Sequence, residues 1–166
     1  MTARLLALVL ATTWAPHTLE DRVRLADRVV LAQVLRSQTV AEGGDPRRLK
    51  TFTELAVGEQ YKGLGPLELT VVQLGGELGL VSERIPGDAR FEAGEVAVIF
   101  LRCGGTSRCH LVGLEAGVAP VSAGDAFVLD VNTGKRERRA LSALAPVLRA
   151  AGKLPSLERL PGAVAR

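Results

Sequence analysis

The stretch "LKTFTELAVGEQYKG", residues 49–63, decides the fold. Leu49, Thr51, Thr53, Leu55 and Val57 fall on one side of an extended chain, and Lys50, Phe52, Glu54 and Ala56 on the other. That alternation has the period of a half-buried strand. Gly63, Gly65 and Pro66 then turn the chain into a second apolar run, "LELTVVQLGG" (67–76). Further on lie "VAVIFLR" (96–102), "CHLVGL" (109–114), "GVAPV" (117–121) and "AFVLDV" (126–131), with the turn "NTG" after them. Short strands at turn-rich spacing predict a small closed or nearly closed β-barrel.

Outward from this centre the chain changes character. In "TLEDRVRLADRVVLAQVLRSQ" (18–38), Thr18 and Asp21 have the spacing of a capping box. Leu19, Val23 and Ala26 then share a helix face, and from Arg28 the β-branched pattern predicts a strand. "AEGGDPRR" (41–48) reads as a loop, and "ELGLVSERIPGDARFEAGE" (77–95) as irregular. The basic run "KRERR" (135–139) ends the β-rich part. "ALSALAPVLRAAG" (140–152) predicts a second helix that starts near Pro146 or kinks there. Residues 153–166, with two prolines and little periodicity, read as a poorly ordered tail.

A length of 166 residues suits one domain with a sizeable core, here residues 12–152. Valine and leucine are plentiful and aromatics make up only 4%, so aliphatic side chains must fill that core. A net charge of +3 is too mild for the electrostatic footprint of a nucleic-acid binder, and no aromatics interleave with "KRERR" to stack bases. Residues 1–11, "MTARLLALVLA", place an arginine before an apolar run, as the start of a truncated secretory signal does. The run is too short to span a bilayer. It predicts export to the periplasm, outer envelope or medium, against a cytosolic reading in which it is a first strand.

Both cysteines lie in "FLRCGGTSRCHLVGL" (100–114). A structural zinc site takes four ligands, whereas Cys109 and His110 are neighbours on a strand and face opposite ways. Redox pairs commonly have a two-residue spacer; this one has five, "GGTSR". A hairpin brings Cys103 and Cys109 opposite each other at a separation that suits a disulfide. A staple is therefore expected, and it agrees with an oxidising compartment.

Catalytic signatures are scarce. There is no phosphate-binding Gly-rich loop, no His-Glu-x-x-His helix and no Gly-x-Ser-x-Gly elbow. The chain has two histidines, His17 and His110, so a nucleophile–histidine pair has few ways to form. No metal or cofactor is expected. The paired glycines Gly75 and Gly76 mark a sharp corner or a close backbone approach. With Glu77, Glu83 and Arg84 they form the candidate binding loop. Carboxylate chemistry at 75–84, as in a hydrolase or an enzyme subunit, is the competing functional reading, and a cytosolic structural or interaction protein is the third.

Several segments in order resemble a group of uncharacterised exported bacterial domains: "ATTWAPHTLEDRVRLADRVVLAQV" (11–34), "VGEQYKG" (57–63) and "LGGELGLVSERIPGDARFEAGEVAVIFLR" (74–102). That group is distantly similar to the OB-type barrels of netrin modules and tissue inhibitors of metalloproteinases. The resemblance implies an OB-like, partly open antiparallel β-barrel with a helix before it and one near the C-terminus. It also implies a noncatalytic exported module that binds a protein or cell-envelope partner, in association with a protease. Those inhibitors act through an N-terminal cysteine, and none lies near Ala11 or Thr12, so their mechanism is not carried over.

Overall fold

The computed structural model describes residues 18–45 and 47–153. The signal-like segment expected over 1–11 lies outside the described residues, as does the tail expected over 153–166, Lys153 apart. The described chain opens with helix α1 (Leu19–Leu25). Its capping box is complete: the Thr18 hydroxyl accepts from the Asp21 N–H at 3.1 Å, and the Asp21 carboxylate accepts from the Thr18 N–H at 3.1 Å. Ala26 is already extended, and strand β1 begins at Arg28.

Strands β1 (Arg28–Ala41) and β2 (Leu49–Lys62) form a hairpin of two fourteen-residue arms. The sheet continues with β3 (Glu68–Leu74), β6 (Val96–Arg102) and β7 (Arg108–Leu111), after a small separate hairpin of β4 (Gly76–Leu78) and β5 (Val81–Glu83). Pairings run β1–β2–β3–β7–β6 and return from β6 to β1, which curls the five strands into an OB-like barrel. The β3–β7 pairing is parallel and only two residue pairs long, so the barrel is partly open there. Among the described residues it is the one departure from the antiparallel pattern expected.

β6 forks the sheet. One edge carries β1 over Val96–Leu101. Its other edge carries β7 at Leu101 and Arg102, and β8 (Val118–Ser122) at Ala97–Ile99. From β8 the sheet runs on through β9 (Asp125–Asp130) to β10 (Lys135–Ala140), the terminal strand. The "KRERR" run thus forms a strand where only a charged segment was expected. All of β10 is exposed, so no apolar alternation betrays it, and backbone pairing with β9 alone makes it extended. Charged side chains on an edge strand also discourage unwanted pairing. Similarly, 77–95 is not wholly irregular, because the β4–β5 hairpin occupies its first part.

Of three register shifts in the long hairpin, at Tyr61, Gly58 and Leu35, the last two sort its side chains between two cores. Val57 pairs with Ala32 and Glu59 with Leu31, leaving Gly58 as an extra residue on β2. An extra residue reverses which face later side chains take. Val57 therefore sits in the barrel, and Tyr61, at the same parity, sits outside under the helices. Burial there pushes the Tyr61 hydroxyl well above the usual phenol range. On β1, Leu35 is the extra residue: Val30, Ala32 and Val34 point inward before it, and Ser37 and Thr39 line the interior after it.

The barrel core packs Val30, Leu55, Val71, Ile99 and Leu101. A second core lies outside β6, where Val98 and Phe100 meet Val23 of α1 and Leu144 and Leu148 of helix α2 (Leu141–Gly152). Helix α2 starts at Leu141 with Pro146 inside it, so of the two alternatives expected, a start near the proline and a kink at it, the start is excluded. Proline has no N–H, so the Ser142 carbonyl loses its helical donor there. Arg22, 2% exposed, ties α1 to the sheet. Its guanidinium donates to the Ala116 and Leu129 carbonyls and lies 5.7 Å from the Phe100 ring. Burial first, then Arg136 and Arg139, lower its pKa from the usual guanidinium value.

Cys103 and Cys109 are joined in a disulfide across the β6–β7 loop, with Cα atoms 4.0 Å apart. The register Leu101–Leu111 and Arg102–His110 leads straight into that pair. The Asp27 carboxylate accepts from the Cys103 and Gly104 N–H groups, which fastens the loop to the start of β1. Among the described residues no helix is long and apolar enough to cross a membrane.

Candidate functional site

Beyond the Leu35 bulge, the inner face of the β1–β2 hairpin changes from aliphatic to hydroxyl. Ser37 pairs with Thr53 and Thr39 with Thr51, each pair sharing a side-chain hydrogen bond of 2.8 and 2.9 Å respectively. The Thr51 hydroxyl is also 2.8 Å from the Gly75 carbonyl, to which it donates. These rungs floor an open cleft of about 710 Å³ at one end of the barrel.

Gly75 and Gly76 bring the chain across that floor. Gly76 has φ +138°, and a Cβ there would lie 2.3 Å from Thr51 Oγ1 and 2.5 Å from Thr39 Oγ1. Gly75 has φ +79°, and a Cβ there would lie 2.5 Å from the Glu83 carbonyl oxygen. Both glycines are needed by the close backbone approach that the sequence suggested.

All five residues of the candidate loop, Gly75, Gly76, Glu77, Glu83 and Arg84, line the cleft. The two carboxylates do not converge. Glu83 pairs with Gly76 and Glu77 with Ser82 in the β4–β5 hairpin, so adjacent positions send Glu77 and Glu83 to opposite faces. Glu83 Oε2 accepts from the Leu49 N–H at 3.2 Å. Both carboxylates nevertheless line the one cleft. Among the described residues the lining holds no histidine, cysteine or lysine, and no three metal-binding side chains cluster anywhere. His110 instead sits with Nδ1 3.1 Å from the Val72 carbonyl; His17 lies outside the described residues.

Sequence reasoning did not assign Ser37, Thr39, Thr51, Thr53, Glu92, Glu95 or Arg136 to the site, yet they complete the cleft wall. The hydroxyls on the apolar side of β2 were the available signal, since two polar residues on a core-facing side need partners. Arg136 reaches over from β10 and donates to the Val118 carbonyl at 2.9 Å and to Glu115 at 3.0 Å. Its neighbours pair as well, Arg138 with Asp125 and Arg139 with Glu137, so the "KRERR" run is mostly neutralised on its own surface.

Beside the cleft the β4–β5 hairpin projects apolar side chains. Leu80, at its turn, is 106% exposed, and the cross-strand pair Leu78 and Val81 is 41% and 40% exposed; Leu74, at the end of β3, is 63% exposed. The arrangement supplies hydrogen-bonding groups, charge and uncovered apolar area, which are the means of recognition. No protein family, no curated protein and no solved structure matches the chain.

Proposed function

We propose that this is a noncatalytic, exported binding module that engages a protein or cell-envelope partner through the β4–β5 hairpin and the cleft beside it. The observation that carries this reading is Leu80 standing wholly in solvent at the hairpin turn, next to the exposed cross-strand pair Leu78 and Val81. Large apolar side chains grouped in solvent on one small element are a feature of interaction sites. Glu83 is already engaged by the Leu49 N–H, which supports recognition over carboxylate chemistry at this loop. The disulfide and the signal-like first residues support export. The OB-like barrel is compatible with the resemblance to protease-associated modules, so an exported protease belongs among the partners to be tried first.

The test is capture of partners from the cell envelope with the wild-type chain and with Leu80→Asp. At a site already in solvent this substitution leaves thermal stability within about 0.5 kcal/mol of the wild type. A partner retained by the wild type and lost by Leu80→Asp is the expected result. Identical capture by both, or turnover of a substrate that Glu77→Gln abolishes, would overturn the reading.

A further inference from the structure

β1 is longer than the partners that cover it. β6 pairs with its second edge only from Arg28 to Gln33. Val34 ends that coverage with two bonds to the loop before β6: its N–H donates to the Glu95 carbonyl, and its carbonyl accepts from the Gly94 N–H, both at 2.8 Å. From Arg36 to Ala41 the strand pairs with β2 on one side and, among the described residues, with no strand on the other. Such an edge presents about three residues' worth of unpaired N–H and C=O groups. Residues 36–38 are exposed and 39–41 half-buried, with Ser37 and Thr39 on the cleft side, so the first half of this edge lies in solvent.

Charge selects what would fit. Six carboxylates line the cleft against three arginines, in a chain whose overall net charge is +3. One of those arginines, Arg136, is already paired with Glu115. Glu92 and Glu95 stand where β6 leaves β1, and neither is in an ion pair among the described residues. Arg36, on the edge itself, is held by Glu54 through two hydrogen bonds.

We propose that the free edge of β1 between Arg36 and Ala41 takes an extended, cationic segment of the partner polypeptide as an added strand. Backbone bonds to β1 supply the docking, as in other strand additions. Alternate basic side chains of the segment turn into the cleft toward Glu92 and Glu95. This deepens the binding-module reading and rests on it, because it names the chemistry of the partner at the cleft next to the hairpin.

The full chain is titrated with a fluorescent peptide of alternating lysine and valine, with its glutamate–valine counterpart, and with the lysine peptide N-methylated along one edge. Amide shifts in ¹⁵N-labelled protein locate each contact. The lysine peptide is expected to bind with shifts at 36–41, and the glutamate peptide not to bind. N-methylation is expected to weaken binding about tenfold or more, and Glu92→Gln with Glu95→Gln about two- to fivefold per exposed pair lost. No binding of the lysine peptide, equal affinity for the glutamate peptide, or shifts confined to 76–83 overturns the proposal. A dimer that dissociates in the Glu92→Gln/Glu95→Gln variant gives the edge to a second copy and also overturns it. Envelope capture lost in Leu80→Asp but unaffected by excess lysine peptide overturns the edge alone. Peptide binding at 36–41 without any Leu80-dependent capture supports the edge and leaves the hairpin reading to fall by itself.

Discussion

Gly76 offers the sharpest perturbation of the site. Replacing it with alanine places a Cβ 2.3 Å from Thr51 Oγ1, 2.5 Å from Thr39 Oγ1 and 2.7 Å from Thr39 Cγ2, where ordinary contacts begin at 3.4 Å. The hydroxyls cannot simply swing aside, because they bond each other and the Gly75 carbonyl. Overpacking of that kind costs about 1–3 kcal/mol, and holding alanine at a glycine backbone angle about 1–3 kcal/mol more, so Gly76→Ala is expected to destabilise by about 2–6 kcal/mol. For a chain of this length each kcal/mol lowers the melting temperature by about 2–4 °C. The companion measurement repeats Gly76→Ala in a Thr39→Ala/Thr51→Ala background. Removing both side chains relieves the overlap and leaves the backbone penalty, so the cost should fall to about 1–3 kcal/mol in urea denaturation. Equal cost in both backgrounds, or a loss under about 0.5 kcal/mol in the first, refutes the close approach as the reason for glycine.

Two further outcomes follow from the same structure. Removing the staple with Cys103→Ala/Cys109→Ala should cost about 2.4 kcal/mol, the loop-closure entropy of about seven residues, and should make urea denaturation insensitive to reductant; a wild type that melts identically with and without reductant contradicts it. Arg22→Lys keeps the charge but cannot reach both the Ala116 and Leu129 carbonyls, so it should destabilise by about 1–3 kcal/mol; denaturation midpoints that coincide would show that the guanidinium fork does not tie α1 to the sheet.

Much of this architecture is legible in the chain because local rules and packing agree. Thr18 and Asp21 announce the first helix, the alternation of β2 announces the hairpin arm, and "GGTSR" between two apolar runs announces the stapled turn. What escapes is non-local or below the length of any pattern. β4 and β5 have three residues each, too few for a period to show. β10 has no buried face, so its strand character lies entirely in β9 beside it. The parallel β3–β7 contact joins segments far apart in sequence, and single extra residues at Leu35 and Gly58 redirect side chains without disturbing the apolar count. The site shows the same division. Gly75 to Arg84 drew notice as a local cluster, whereas Ser37, Thr39, Glu92 and Glu95 become neighbours only when the hairpin curls.

One ribbon, β6, serves as the wall between the two interiors: Ala97, Ile99 and Leu101 look into the barrel while Val98 and Phe100 look toward the helices. Neither compartment owns it, so neither can come apart without stripping cover from the other. Damage to the helical side, at Leu148 for example, should be felt in the slowest-exchanging protons on the opposite side, and the protein should melt as a single unit.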